Sequence, residues 1–260
     1  MSKKTKSAKS IRKLTLTAIL AAIVVVLQVV GGIPIGPVSI TLTLVPIVVG
    51  AILLGPAYGT ALGLIFGIIV SILSITGKDP GGQMVFAANP FIAWALCLLK
   101  GAAAGFLPSV VCKFFNEKKI APSVLVALSG AFLTVVGVAV GRLTKGSGAV
   151  KTSVIVALVA LAAAGYLLLV RYALRGENAA VYLASMTAPI ANTGIFIIGM
   201  LIFFRPTLEA WAGGKDTIVF VLTGIAGINF LIEFALAVIL APAIALIVKS
   251  ASKSLHHSAD

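Results

Sequence analysis

Ile11-Arg12-Lys13-Leu14-Thr15-Leu16-Thr17-Ala18-Ile19-Leu20-Ala21-Ala22-Ile23-Val24-Val25-Val26-Leu27-Gln28-Val29-Val30 decides the class of fold. From Leu14 to Val30 the stretch carries no charge, and ahead of that run stand Lys3, Lys4, Lys6, Lys9, Arg12 and Lys13. A helix of about 20 apolar residues matches the hydrocarbon thickness of a bilayer. A dense basic flank matches the anionic face of a cytoplasmic leaflet. The block ends in Gly31-Gly32-Ile33-Pro34 with no small-x-small cleavage site, so it reads as a retained span and not as a cleaved signal peptide.

The rest of the chain repeats this pattern. Of 260 residues 60% are apolar and only 10% charged, with a mean hydropathy of +1.17; soluble domains carry about 25% charged residues. Eight apolar blocks are expected as helices: Ile11–Val30, Ile40–Leu54, Ala57–Ile75, Pro90–Cys112, Ala121–Gly141, Val150–Val170, Ala179–Phe204 and Thr217–Val248. The fold class is therefore all-α, a polytopic transmembrane helical bundle. The second block is short for a span and contains Pro46, which is expected to bend it. Gly55-Pro56 leaves almost no loop before the third block, making a tight hairpin of the two. The soluble segments are the basic N-terminus, a loop over Gly77–Asn89 and a tail ending His256-His257-Ser258-Ala259-Asp260. Gly31 to Pro37 reads as a stiff, uncharged outer connector or lid.

Charge placement sets orientation and argues against nucleic acid as a partner, despite a net charge of +13. With the N-terminus inside, the inner side collects the six N-terminal cations, Lys113, Lys118, Lys119, Arg171, Arg175, Lys249 and Lys253, 13 in all. The outer side collects 6: Lys78, Arg142, Lys145, Lys151, Arg205 and Lys215. Both termini are expected in the cytoplasm. Three of the outer cations lie in one loop, and the count would become 16 against 3 if the pair of blocks around that loop did not cross. Ala121–Gly141 is nevertheless uncharged throughout, which favours crossing.

Enzyme signatures are absent: there is no HExxH, no glycine-rich phosphate loop, no Cys/His metal spacing and no nucleophile triad. No cofactor or metal is expected. Cys97 and Cys112 share one apolar block, so a disulfide framework is not indicated. Both histidines lie in the tail, without a third ligand.

Two ionisable side chains other than Cys and Tyr lie deep in the apolar blocks, Lys100 and Glu233. Such groups are costly in hydrocarbon and are candidates for a substrate or ion path. Glu233 falls near the middle of the last block, one turn after Asn229 on the same helix face. Lys100 can bind an anion, pair with Glu233 to hold helices together, or snorkel to the cytoplasmic surface. Asn192 lies near Pro189, which removes a backbone hydrogen bond and leaves a carbonyl close to the amide; the plainer reading is interhelical glue. Asn89 before Pro90 reads as a helix N-cap, with ligand contact at the outer mouth as a second role. Trp94 is an interfacial anchor or a stacking wall. Ala18-x-x-x-Ala22 is a small-xxx-small spacing that lets another helix approach closely.

Taken in order, several segments resemble the substrate-binding S components of energy-coupling factor (ECF) vitamin transporters. Ile40 to Pro56 resembles the family's second span and its tight turn, and Ala18-x-x-x-Ala22 its alanine docking motif. Asn89-Pro90, Leu99-Lys100-Gly101, Pro189-Ile190-Ala191-Asn192-Thr193-Gly194 and Asn229-Phe230-Leu231-Ile232-Glu233 are similar to later spans of a pantothenate-type subgroup. The resemblance covers residues 11–113 and 178–249. It implies a six-helix core with an extra helical hairpin inserted at about 121–171. The chain then divides into a cytoplasmic basic N-terminus (1–10), four transmembrane helices (11–113), the inserted hairpin (114–177), two last core helices (178–249) and a cytoplasmic tail (250–260).

It further implies a membrane-embedded subunit that captures a vitamin and is not an enzyme. Its first helix, through Ala18 and Ala22, would dock on a transmembrane coupling subunit, with two ATPase subunits supplying the energy. The substrate-binding residues implied are Asn89, Trp94, Asn192, Asn229 and Glu233, with Lys100 beneath or outside the pocket. Other readings stay open on the residues alone. These are an S component for another vitamin such as riboflavin, a self-sufficient transporter coupled to protons through Glu233, and a structural membrane protein.

Overall fold

A computed structural model describes residues 3–35, 38–40, 42–118, 179–214, 217–220 and 230–257. The expected spans Ala121–Gly141 and Val150–Val170 lie outside the described residues, as does Asn229. The described chain is helical apart from one short hairpin. Helix α1 (Lys3–Val30) leads into strands β1 (Ile33–Ile35) and β2 (Val38–Ile40), then α2 (Leu44–Leu54), α3 (Pro56–Ile75), α4 (Pro80–Ala88) and α5 (Pro90–Lys118). After the undescribed segment come α6 (Ala179–Phe203), α7 (Arg205–Ala212), α8 (Thr217–Phe220) and α9 (Phe230–His257). Five of these helices, α1, α3, α5, α6 and α9, are long and apolar enough to cross a membrane. With the short α2 they make up the six core helices expected from the sequence.

Helix α2 is the hub. Leu44, Ile47, Val48, Val49, Ala51 and Leu54 are all buried, so this helix is apolar all round because it is covered all round. At about 1.5 Å per residue its 11 residues reach only about 16 Å, half a bilayer. The sequence places its start at Ile40, but Ile40 belongs to β2, which pairs antiparallel with β1 in the register Ile33↔Ile40, Pro34↔Ser39, Ile35↔Val38. Within the segment read as a connector or lid over Gly31 to Pro37, Ile33–Ile35 is thus one arm of a hairpin. Because α2 begins at Leu44, Pro46 falls in its first turn, where the missing N–H had no intrahelical partner to lose; the expected bend is not required. Gly55 alone joins α2 to α3, at φ 102°, a left-handed conformation that glycine adopts freely. The tight hairpin read from Gly55-Pro56 is present.

Helices α3 and α5 run antiparallel with their backbones touching. Gly59, Gly63 and Gly67 face Gly105, Gly101 and Cys97; a Cβ on Gly63 would collide with the Gly101 carbonyl, and one on Gly105 with the Gly59 carbonyl. In lipid, where apolar surface gives no drive for helices to associate, such close approach is a main source of cohesion.

Three further differences concern the aqueous ends. The loop expected over Gly77–Asn89 contains α4, which starts after Asp79 with Pro80 in its first turn and buries Gly81, Val85 and Phe86. A second short helix, α7, follows α6 after a single residue, and its Trp211 Nε1 donates to Met84 Sδ of α4 at 3.0 Å. Of the helix expected over Thr217–Val248, the described parts are α8 and α9, with 221–229 outside the described residues, and α9 continues to His257 through the residues expected as a tail.

Candidate functional site

A small, partly open cavity lies between α2, α6 and α9. Leu44 and Val48 of α2 form one wall; Ser185 of α6 and Glu233, Leu236 and Ala237 of α9 form the others. The described lining is aliphatic except for Ser185 and Glu233. Few convergent polar groups in an apolar cleft is the usual make-up of a small-molecule site.

Glu233 is 6% exposed and lies on α9 close to its first described residue, Phe230. Its depth is nevertheless central, because Thr193 Oγ1 near the middle of α6 donates to Glu233 Oε2 at 3.3 Å. The two helices run antiparallel from there, with Tyr182 and Met186 of α6 packed against Val238 and Ala241 of α9.

Asn192 is 7% exposed, and its Oδ1 has no hydrogen-bond partner. At 100° per residue, Ser185, Asn192 and Phe196 lie on one stripe of α6, the side from which Ser185 reaches the cavity. Pro189 lies inside α6 and has no N–H to offer the Ser185 carbonyl one turn below. That carbonyl belongs to the residue seven positions before Asn192, about 10 Å along the helix from the amide. An unpaired buried amide oxygen costs about 1–3 kcal/mol in a folded protein.

Lys100 is half-buried in α5, with its Nζ 4.8 Å from the centroid of the Phe196 ring and 6.0 Å from that of Phe66. Two aromatic faces partly replace water for the ammonium. The ion pair with Glu233 that the sequence left open does not form. Lys100 instead stands on the other side of the stripe that carries Asn192 and Phe196.

The remaining candidates lie elsewhere. Asn89 Oδ1 accepts from the Ile92 N–H at 3.1 Å, so its side chain caps α5. Trp94 is 44% exposed and does not line the cavity. Ala18 and Ala22 lie on the exposed face of α1. Only 17% of the residues in the α1 span are buried, against 39–44% in the other four. Thus the structure joins Glu233 to Thr193, the chain neighbour of Asn192, at mid-depth, sets Lys100 over the Phe196 ring, and leaves Asn89 and Trp94 away from the cavity.

The sequence reading passed over Ser185 and Thr193, which are ordinary hydroxyls until Pro189 and the antiparallel α9 give them neighbours. It also passed over a buried contact at the C-terminal end of α1, where Thr43 Oγ1 donates to Gln28 Oε1 at 2.9 Å and ties α1 to the start of α2. The spacing of seven between Ser185 and Asn192 was the one available signal for a polar stripe. Among the described residues no group of His, Cys, Asp and Glu is placed to hold a metal.

A comparison with curated proteins found no match. The profile of the family described as ECF transporter, substrate-specific component, matches residues 12–144, just over half of the chain. The match begins in α1, covers α2 to α5 and ends before α6. Proteins of this kind are transporter subunits that bind small-molecule substrates and pair with a transmembrane coupling subunit and ATPases; they are not an enzyme family. With a bundle of span-length helices around a cavity, this multi-pass membrane protein belongs to the ECF transporter substrate-specific component family.

Proposed function

We propose that the protein captures a vitamin from outside the cell in the cavity between α2, α6 and α9 and delivers it for ATP-driven import. The observation that carries this reading is the buried polar cluster of Asn192, Thr193 and Glu233 beside that aliphatic cavity. Keeping such polar side chains at this depth, with Asn192 Oδ1 left without a partner, makes sense where a ligand completes them. Both termini lie in the cytoplasm in this proposal, which puts the α4–α7 side of the bundle outside. The exposed, small-residue face of α1 at Ala18 and Ala22 docks on the coupling subunit, and two ATPases power the transfer.

Pantothenate is the substrate we propose first. Its hydroxyls and amide N–H are donors for Asn192 and Glu233, and its carboxylate would meet the Lys100 ammonium over Phe196. A flavin fits less well, because the described lining offers no aromatic wall. The purified protein, screened in detergent against B vitamins by thermal shift, tests the reading. A true ligand at 100 times its dissociation constant adds about 2.7 kcal/mol of stability; no shift with any of them overturns it. A second reading is favoured by one observation, the buried Glu233 carboxylate: a self-sufficient proton-coupled carrier. It requires uptake by this chain alone, without any ATPase, and loss of that uptake in Glu233→Gln.

A further inference from the structure

Among the described residues, those of α1 that are buried form one narrow edge, Leu20, Val24 and Gln28, and only Gln28 is polar. Leu20 Cδ1 lies 3.2 Å from where a Cβ on Gly50 would stand, and Gln28 reaches the start of α2, so the two helices run antiparallel. At that start the Thr43 hydroxyl donates to Gln28 Oε1 at 2.9 Å, with Thr43 at 0% exposure and Gln28 at 8%.

Two features set this contact apart from ordinary interhelical glue. Thr43 stands at the N-cap of α2, where a threonine normally turns its hydroxyl oxygen to the free N–H groups of the first turn. Its backbone is already helical, at φ −63° and ψ −27°, and its side chain makes no cap. The hydroxyl serves α1 instead. The second feature is position. Leu42, Leu44 and Val45, on both sides of Thr43 in the chain, line the cavity, and Thr43 does not. The Val45 N–H donates to the Leu42 carbonyl at 3.1 Å, so these residues make one turn with Thr43 inside it. With Val48 they form the α2 wall of the cavity.

We infer that Gln28 is a positioning residue for capture: through Thr43 it fixes the rotation of the Leu42–Val45 turn, and with it the shape of that wall. The three lining side chains are aliphatic and make no directional contact of their own. A buried hydrogen bond on the opposite side of the same turn supplies the direction they lack. A wall held in place before the ligand arrives need not be ordered on binding, which appears as affinity. This inference rests on the capture reading.

The test is a double-mutant cycle on the full chain in detergent, with Gln28→Met and Thr43→Val as apolar replacements of similar size. Each single variant leaves one buried polar partner unpaired and should lower the melting temperature. The double variant removes both ends of the hydrogen bond and should bring the melting temperature back near that of the unaltered protein. Affinity should not come back with it. Calorimetric titration uses pantothenate, or whichever B vitamin the thermal screen returns in its place. A loss of about tenfold is expected in either single variant, and the same loss in the double. Thr43→Ser keeps the hydroxyl and should bind within about twofold of the unaltered protein. If a single variant fails to fold, the double variant and Thr43→Ser still decide. A double variant that regains full affinity overturns the inference, because the contact then serves only the fold. Unchanged affinity in both single variants overturns it too, as do additive losses reaching about 100-fold in the double. In these cases the unaltered protein still binds and the capture reading stands; a protein that shifts with no B vitamin loses both.

Discussion

Lys100 and Glu233 are opposite charges in adjoining parts of a membrane bundle, and yet they do not neutralise each other. The Lys100 ammonium rests on Phe196 and Phe66 instead. Such cation–ring contacts are worth about 0.5–2 kcal/mol, less than a good ionic partner in a water-poor site. An anionic ligand group is thus the stronger partner, provided it reaches the α5 side of the Asn192–Phe196 stripe. From this follows a prediction for Lys100→Met, which keeps the aliphatic stem and removes the charge. The affinity for a vitamin carrying a carboxylate should fall about 10- to 100-fold, the worth of one hydrogen bond to a charged group. The melting temperature of the ligand-free protein should not fall. Calorimetric titration of the variant with pantothenate and with its uncharged alcohol analogue reads this directly, since only the acid should lose affinity. Equal losses for both would mean that Lys100 shapes the fold and not the ligand site. At this scale the sequence was informative about which residues are costly, because an ionisable group in an apolar block is visible without a structure. It was silent on partners. Whether Lys100 met Glu233 or a ring depended on how α5, α6 and α9 are rotated, and no spacing within one helix encodes that rotation.

The helices divide into those legible in the sequence and those that were not, and the reason is length. The span-length helices α3 and α6 coincide with their apolar blocks to within a residue, and α1 and α5 contain theirs and run past one end, since 20 apolar residues leave the chain no other way to satisfy its backbone in lipid. Helix α4 is nine residues long and includes Gly81 and Gly82, poor helix formers; α7 has eight residues with Pro206 in its first turn. Neither has the length to show a hydrophobic period, and each exists because it packs on one end of the bundle, where Trp211 meets Met84. The α3–α5 contact was legible in principle: Gly59, Gly63 and Gly67 recur every four residues and match Gly101 and Gly105 in reverse. What the sequence lacked was the pairing of the two stripes. Gly63→Ala tests this contact, because the new methyl would meet the Gly101 carbonyl and the helices would have to part. Overpacking of this kind costs about 1–3 kcal/mol, and thermal unfolding in detergent should show it as a clearly lower melting temperature. Gly194→Ala on α6 is the control, since nothing lies within 4 Å of its Cβ position; it should leave stability unchanged or raise it slightly through helix propensity.

At the scale of the whole molecule, burial is uneven, and the unevenness has a direction. Helices α3, α5, α6 and α9 bury about two fifths of their span residues, whereas α1 buries 17%. Leu20, Val24 and Gln28 form the thin inner edge of α1, and most of the rest of its surface, including Ala18, Ile19, Ala22 and Ile23, is open. Lipid can cover a surface of Ile and Val, and apolar exposure alone therefore implies no partner. The small residues make the difference: two alanines one turn apart leave a shallow groove in that surface, which lipid chains gain little from filling and another helix can approach closely. The ligand site proposed above lies between α2, α6 and α9, so a change on the exposed face of α1 should separate assembly from capture. Ala18→Trp is predicted to abolish co-purification with the coupling subunit and ATPases when all are co-expressed. The same protein, purified alone, should retain its vitamin affinity within about twofold, as expected for sites that share no contact. Loss of both properties together would mean that the exposed face of α1 also bears on capture, through the Gln28–Thr43 contact that joins the helix to α2. Retention of both would move the docking surface to another face of the bundle.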